Sequence, residues 1–424
     1  MKTSKAGIAT GLLLATIGGS ASAGAVDAKL LDVLRANGSI TAAQHAELSA
    51  DLAREQRTAE KAASGQVKES DFLALQQKLA WASTTAFKGD MRVRQDTIDI
   101  EGEPTNGGRD KNRQRIRARL GAFAQVNPEV EVGIQVASGN AVDRRTTNQD
   151  MTDYFDKKNL WYDLAYIDYH PAVAPGLKLL AGKMKQPWVA VGDVAWDGDI
   201  NPEGIAASYT KKIGSNSIFG SGGYYVLKDN IDGEGVEFSH DLNLYALQIG
   251  SSFDVGDDVK LMLGASYNGF NNDQYSATLR SNGNTTDAFE LYELFGQMDV
   301  IGLPLPLSMY AQYVINHDAR DFDVFMDGGE DTAWLFGFRT NVAAISVDYN
   351  YRDVEANAVV GAFTDSDFAS GYTNSSGHKL KLKYDIAKNF AIGATYFLTE
   401  SDAASRYQTD ADVNTLTVDL EARF

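Results

Sequence analysis

From about residue 81 to the last residue, apolar and polar side chains alternate with a period of two, and that alternation constrains the fold more than any other feature of the chain. In the final segment Leu416, Val418, Leu420, Ala422 and Phe424 alternate with Thr417, Asp419, Glu421 and Arg423, so a strand there has one apolar and one polar face. Similar runs centre near residues 91, 119, 134, 165, 181, 208, 222, 248, 264, 294, 311, 336, 348, 381, 395 and 419, about 16 strands in all. The gaps between runs alternate in length. Residues 127–128, 171–176, 254–257, 302–306 and 387–389 make short gaps, whereas 139–159, 186–203, 271–287, 318–330 and 400–412 make long ones. A soluble sandwich has no reason to sort its loops this way, but a membrane barrel has short turns at one rim and long loops at the other. The expected fold is therefore all-β, a transmembrane antiparallel β-barrel. Hydrocarbon offers no hydrogen-bond partner, so such a sheet must close on itself. At about 16 strands the lumen is wide enough to hold water.

The chain ahead of the barrel reads differently. Lys2 and Lys5, an apolar stretch over 8–17 and Ala21-Ser22-Ala23 have the form of a secretory signal peptide, expected over 1–23. No stretch approaches the ~20 apolar residues of a membrane-spanning helix. Residues 24–82 are expected to form a periplasmic helical or coiled-coil segment, and 83–424 the barrel. Leu30, Leu31, Val33 and Leu34 precede an Asn37-Gly38 stop signal. Thr41 and Gln44 fit a capping box that opens a second helix, and Phe72, Leu73, Leu75 and Leu79 make a further amphipathic run. An even strand count returns both ends of the barrel to the periplasm.

Composition narrows the function. The formal charge of −18 argues against nucleic acid as a partner. The absence of cysteine leaves an exported chain to be stabilised without disulfides. Glycine (39), tyrosine (19) and phenylalanine (19) set against eight prolines suit strands. Asp168-Tyr169-His170 pairs an acid with a histidine, but it adjoins Pro171 in an expected turn with no nucleophile nearby. With neither a G-x-S-x-G nor an H-E-x-x-H motif, the chain is read as no enzyme, with no cofactor and no metal site.

The run Arg113-Gln114-Arg115-Ile116-Arg117-Ala118-Arg119-Leu120 puts four arginines on one strand face and apolar residues on the other. Arginine at the lipid midplane costs ~2–4 kcal/mol, so Arg113, Arg115, Arg117 and Arg119 are expected to line the lumen. Arg92 and Arg94 on the neighbouring strand, and Lys183 and Lys185 further on, extend this pore-lining set. Like charges stacked across strands repel. Lumenal acids such as Asp90, Asp96, Glu129 and Glu131, or passing anions, are expected to compensate them, and the two readings are compatible. Asp143, Asp150, Asp153 and Asp156, then Asp193, Asp197 and Asp199, and the group from Asp318 through Asp321, Asp323 and Asp327 to Glu330 and Asp331 fall in long loops. They are expected to be solvated extracellular charge, or to bridge divalent cations to lipopolysaccharide phosphates. Trp161, Tyr169, Tyr267, Phe270, Tyr310, Trp334 and Phe424 are candidates for interfacial girdles.

The chain resembles the Putative porin family of Gram-negative outer membranes and, more distantly, trimeric phosphate-selective and DcaP-like porins. The resemblance rests on residues 30–38 with Ile40-Thr41, on Phe87-Lys88-Gly89-Asp90-Met91-Arg92-Val93-Arg94, on 112–120, on Gly182-Lys183-Met184-Lys185-Gln186-Pro187-Trp188 and on Phe424. It implies location in the cell outer membrane, a homotrimer, and lumenal Arg and Lys that favour anions, a role falling here on Arg92, Arg94, Arg113, Arg115, Arg117, Arg119, Lys183 and Lys185. The expected function is a water-filled channel for passive diffusion of small hydrophilic solutes with anion preference, in contact with outer-membrane lipid and lipopolysaccharide. The alternative is a structural or adhesive barrel that binds envelope components through its helices or acidic loops.

Overall fold

The computed structural model describes residues 20–64, 83–104, 108–231, 240–320 and 330–424. Two compact units divide the chain, residues 1–80 and 81–424. Most of the expected signal peptide (1–19) and the run from Phe72 to Leu79 lie outside the described residues. In the first unit α1 (Ser20–Ala36) stops where expected. Gly38 takes φ +68°, and the Ser39 amide donates to the Leu34 carbonyl at 2.9 Å. The capping box then opens α2 (Ala42–Ser64): the Thr41 amide donates to Gln44 Oε1 at 3.0 Å and the Gln44 amide to Thr41 Oγ1 at 3.2 Å.

The second unit is a closed barrel. Its strands are β1 (Thr85–Ile100), β2 (Lys111–Asn127), β3 (Val130–Ala137), β4 (Gln149–Asp150), β5 (Trp161–Tyr169), β6 (Leu177–Lys183), β7 (Glu203–Ile213), β8 (Asn216–Lys228), β9 (Leu242–Val255) and β10 (Val259–Asn271). They continue as β11 (Glu290–Val300), β12 (Leu307–Asn316), β13 (Thr332–Val342), β14 (Ile345–Val354), β15 (Ser375–Ala387), β16 (Phe390–Ser401) and β17 (Ala411–Arg423). β4 is a two-residue strand inside a long loop that pairs with β2 through Arg115↔Asp150. The other 16 are staves, each antiparallel to its neighbours, and β1 pairs with both β2 and β17, which leaves no edge. The expected strand centres all fall within staves, and short turns and long loops sort to opposite rims.

The wall is apolar outside and polar inside. Met91, Val93, Leu120, Leu247, Leu294 and Phe336 are each at least half exposed on the outer face, while Asp96, Gln312, Asn350 and Arg352 are buried on the inner one. Apolar area left in water costs about 25 cal/mol per Å², so this surface is stable only against lipid. Trp161, Tyr169, Trp334 and Phe424 stand on the exposed outer face, and Tyr267 packs against the outward Tyr292 at 5.2 Å. Phe270 and Tyr310 correct the girdle expectation. Phe270 packs on the apolar cluster inside the barrel and Tyr310 is 2% exposed within it, because a single step along a strand reverses the face a side chain takes.

Two long loops fold into the lumen. Residues 184–202, between β6 and β7, bring in Met184, Val194 and Trp196. Residues 355–374, between β14 and β15, bring in Val359, Val360 and Phe363. They pack on the inner apolar cluster that includes Tyr225, Leu244, Phe289 and Leu335 of the far wall, and Trp196 stacks on Phe363 with ring centroids 5.4 Å apart. A charged residue on the outer face should expose the lipid contact directly. Leu294→Arg, near the middle of β11, is expected to lose ~2–4 kcal/mol in equilibrium urea unfolding from lipid vesicles, a cost that a water-exposed leucine would not produce.

Candidate functional site in the barrel lumen

The expected arginine ladder exists, and it is densely paired. Cross-strand register sets Arg92 opposite Arg117 and Arg94 opposite Arg115. These like-charge contacts are compensated by the other neighbour of β1, where β17 places Glu421 opposite Arg92 and Asp419 opposite Arg94. Arg94 binds Asp419 with Nε and Nη2 at 2.7 and 2.9 Å and Asp367 with Nη1 at 2.7 Å. Arg117 reaches Asp90 and Glu421, both at 2.7 Å, and Arg119 reaches Asp90 at 2.7 Å and Asp199 at 3.4 Å. Arg115 lies 2.9 Å from Asp150 and 3.4 Å from Asp96, and Arg113 lies 3.2 Å from Asp96. Arg92 donates to Asn148 at 2.7 Å and sits 3.6 Å from Asp419. Of the acids expected as partners, Asp90 and Asp96 take part. Glu131 instead accepts from the Tyr166 hydroxyl and Glu129 from the Ala172 amide.

Asp150 and Asp199, expected to be solvated in long loops, are turned inward, and so is Asp367 of a third loop. Asp197, 8% exposed, accepts from the amides of Asp199 and Ser366 and so ties the two inward loops together. Asp153 and Asp318 remain well exposed, as expected, while Asp321, Asp323 and Asp327 lie outside the described residues.

Lys183 corrects the expected parity. It lies in the row of Ala165 and Glu203, 2.7 Å from the Glu203 carboxylate, whereas Leu180 and Met184 take the inner face and pack on the apolar cluster. The strand ends at Lys183 and the chain turns inward, which buries Met184 completely. Lys185, just past that turn, is exposed among the charges of Asp163, Arg119 and Asp199, with no ion-pair partner among the described residues. Asp168 and His170, weighed above for catalysis, have partners in the barrel wall and the β2–β3 turn. Asp168 binds Lys178 at 3.1 Å, and His170 Nε2 lies 3.1 Å from the Pro128 carbonyl.

Sequence reasoning missed a second basic column, Lys379, Lys381 and Lys383 on β15, with Arg352 on β14 and Arg339 on β13. The signal was present, since Lys379-Leu380-Lys381-Leu382-Lys383 alternates as the arginine run does. Arg352 and Lys379 anchor both loops. Arg352 Nη2 is 2.6 Å from Asp193 and 3.5 Å from Asp365, and Lys379 Nζ is 2.8 and 3.0 Å from the same carboxylates. Asp193 belongs to one loop and Asp365 to the other. Burial works against ionising Asp193, but Arg352 and Lys379 outweigh it and hold the carboxyl far below the usual range. Burial is likewise outweighed at Asp367, where Arg94 holds the carboxyl at about 2. Asp197 is pushed up by burial and by the nearby Asp365, and burial raises Asp365 too.

A closed stave wall, an apolar outer face and loops folded into a charged lumen together describe a pore. Residues 99–291 and 327–424, more than half of the chain, match the family described as Putative porin. The chain belongs to that family. Its fold is similar to that of OprB from Pseudomonas putida at high pH, with a TM-score of 0.53 and 10% identity over 84% of this chain and 97% of that one. Salmonella typhi OmpF in complex with Daunomycin gives a TM-score of 0.48 at 10% identity, over 80% of this chain and 97% of that one. At these identities the likeness, carried by OprB, is one of fold. A stretch of 33 residues, 8% of this chain, is 64% identical to Phosphate starvation-inducible protein 1 of Pseudomonas fluorescens and covers 85% of that protein. The porin is thus an outer-membrane channel.

The loop anchors make the porin's response to acid predictable. Asp193 and Asp367, with lowered values, stabilise the seated loops fully above an ordinary carboxyl's ~4, and that contribution is lost as pH falls through their folded-state values. Asp197 and Asp365, with raised values, are relieved by protonation, so their effect runs the opposite way. Protonation of Asp197 and Asp365 above ~4 leaves the loops seated, so loop release, read as a larger and noisier single-channel conductance, is expected only as pH falls toward about 2, where Asp367 titrates. Removing one partner of a buried ion cluster costs ~3–5 kcal/mol. Arg352→Met is accordingly expected to free both loops, read as a larger, noisier conductance step and new protease cleavage within 184–202 and 355–374.

Proposed function

We propose that the porin passes small hydrophilic solutes by passive diffusion and favours anions. The observation that carries this reading is the asymmetry of the lumen. The inward loops cover the arginines of β1 and β2 and pack on the apolar cluster, whereas the lysines of β15 border open space; a further cavity of about 820 Å³ opens on the β3–β9 side beside Lys183 and Asp199. Cavities of about 510 and 530 Å³ meet at β15 and share Lys383 in their lining. Basic side chains replace part of an anion's hydration shell, and a wide wet lumen lets the ion leave again. The Pseudomonas fluorescens relative is named for induction by phosphate starvation, which supports an oxyanion among the solutes. Passage of this kind needs no chemical step.

A homotrimer fits the outer surface. β3, β5 and β6 have 8, 9 and 7 residues, at or below the ~9–11 that a tilted strand needs to cross the hydrocarbon. Their outward Ile134, Ile167 and Leu179 are exposed, and a second copy would shield this low stretch of wall. Elsewhere the partners are outer-membrane lipid at the apolar band and lipopolysaccharide at the acidic rim. Residues 24–82 are read as a periplasmic segment, and the exposed Leu30, Val33 and Leu48 of α1 and α2 give it an apolar stripe for helix pairing. The deciding measurement is the reversal potential of the refolded porin in planar bilayers under a KCl gradient. A chloride-favouring potential is expected, and a potassium-favouring one would overturn the anion reading.

A further inference from the structure

Taken one by one, the lumenal cations divide into two groups. On β1 and β2 every arginine of the ladder has a carboxylate within 3.6 Å, and most have two. An anion that approached such a guanidinium would have to displace a charge-assisted bond already made. On β15, Lys379 is held between Asp193 and Asp365, and Lys383 lies 3.6 Å from Asp385. Lys381, the central residue of the same strand, stands differently. It is exposed, faces the lumen and, like Lys185 past the end of β6, has no ion-pair partner among the described residues, but unlike Lys185 it stands in a row of lysines at the edge of a cavity.

The register explains why it is free. Asp348 is directly opposite on β14, but its carboxylate is occupied: it accepts from the Tyr310 hydroxyl at 2.6 Å and from Arg339 Nε at 3.1 Å. Arg339 is itself fixed, its Nη2 donating to the Val191 carbonyl at 2.8 Å and its guanidinium lying 3.9 Å above the Tyr310 ring. On the other side of Lys381 stand Thr395 of β16 and then Thr417 of β17, both short and uncharged. The cavity of about 510 Å³ in front of this row is lined by Lys381 and Lys383, with Arg339, Asp348, Ser308 and Ser346 among its other walls. Liquid water takes ~30 Å³ per molecule, so the cavity has room for an ion and on the order of ten waters.

We propose that Lys381, with Lys383 beside it, is the porin's contact for permeating oxyanions, and that the arginines of β1 and β2 are structural posts for β17 and the inward loops. This rests on the anion-preferring reading above and relocates its charge from the ladder to β15. An unpaired ammonium takes a hydrated anion and releases it without breaking any bond of the fold, as a conducting site requires. The ladder's ion pairs, by contrast, brace strands against strands and loops against wall.

The test uses the full chain refolded in planar bilayers, with inorganic phosphate as probe and chloride as the carrier current. Lys381→Gln removes a charge without stranding a partner. It is expected to shift the reversal potential away from chloride and to weaken phosphate block of the chloride current about fivefold, the loss of one charged contact. Lys381→Arg is expected to restore both. Arg115→Gln, judged only in preparations that keep heat-modifiable migration, is expected to lower unfolding stability and leave phosphate block unchanged. Unchanged selectivity and block in Lys381→Gln overturn the assignment while leaving an anion-favouring wild type intact, as does a loss of block in Arg115→Gln alone. A potassium-favouring wild type overturns the broader reading and the assignment with it.

Discussion

Hydrocarbon cannot satisfy a backbone amide or carbonyl, and the pairing of β1 with both β2 and β17 answers that constraint for the whole barrel. Once the sheet closes, its outward residues meet lipid and its inward residues share a confined, wet interior. Leu294 and Asp96 owe their opposite environments to this inversion. The staves then act as a rigid frame on which charge can be mounted at known heights, since register fixes which side chains lie level with one another.

Charge inside that frame serves two ends. Most of it holds the structure together. Asp419 and Glu421 relieve the repulsion between Arg92, Arg94 and the arginines of β2, while Asp193, Asp365 and Asp367 moor two loops to Arg352, Lys379 and Arg94. Buried ion clusters pay for desolvation with several simultaneous partners, and each of these has them. The mooring narrows the lumen on one side, since the loops lie against the apolar cluster of the far wall. Of the cations left unpaired among the described residues, Lys381 borders a cavity of about 510 Å³ and is available to the solute.

Much of the fold was legible in the chain. A period of two sustained over more than 300 residues, with gaps that alternate between short and long, has few physical solutions, and the sixteen strand centres followed from it. The capping box at Thr41 and Gln44 and the Gly38 stop were equally readable, because local backbone hydrogen bonding sets them. The arginine run on β2 declared its lumenal face for the same reason: alternation leaves a charged row one side only. The site was less legible. Lys183 was assigned the wrong face because its strand ends there, and Phe270 and Tyr310 because residue type near a strand end does not reveal parity.

Alternation, gap length and charge type therefore determined a closed barrel with a basic inner wall, since each depends on neighbours along the chain and on the solvent a face must meet. Which cations stay free depended on tertiary structure alone. Asp419 pairs with Arg94 from 325 positions away, and Asp193 meets Lys379 across 186, only after the barrel has closed and the loops have folded into it. An ion pair between distant residues leaves no periodic trace in a sequence, so the difference between a lysine that holds a loop and one that faces the water arises only when the two walls and the loops come together.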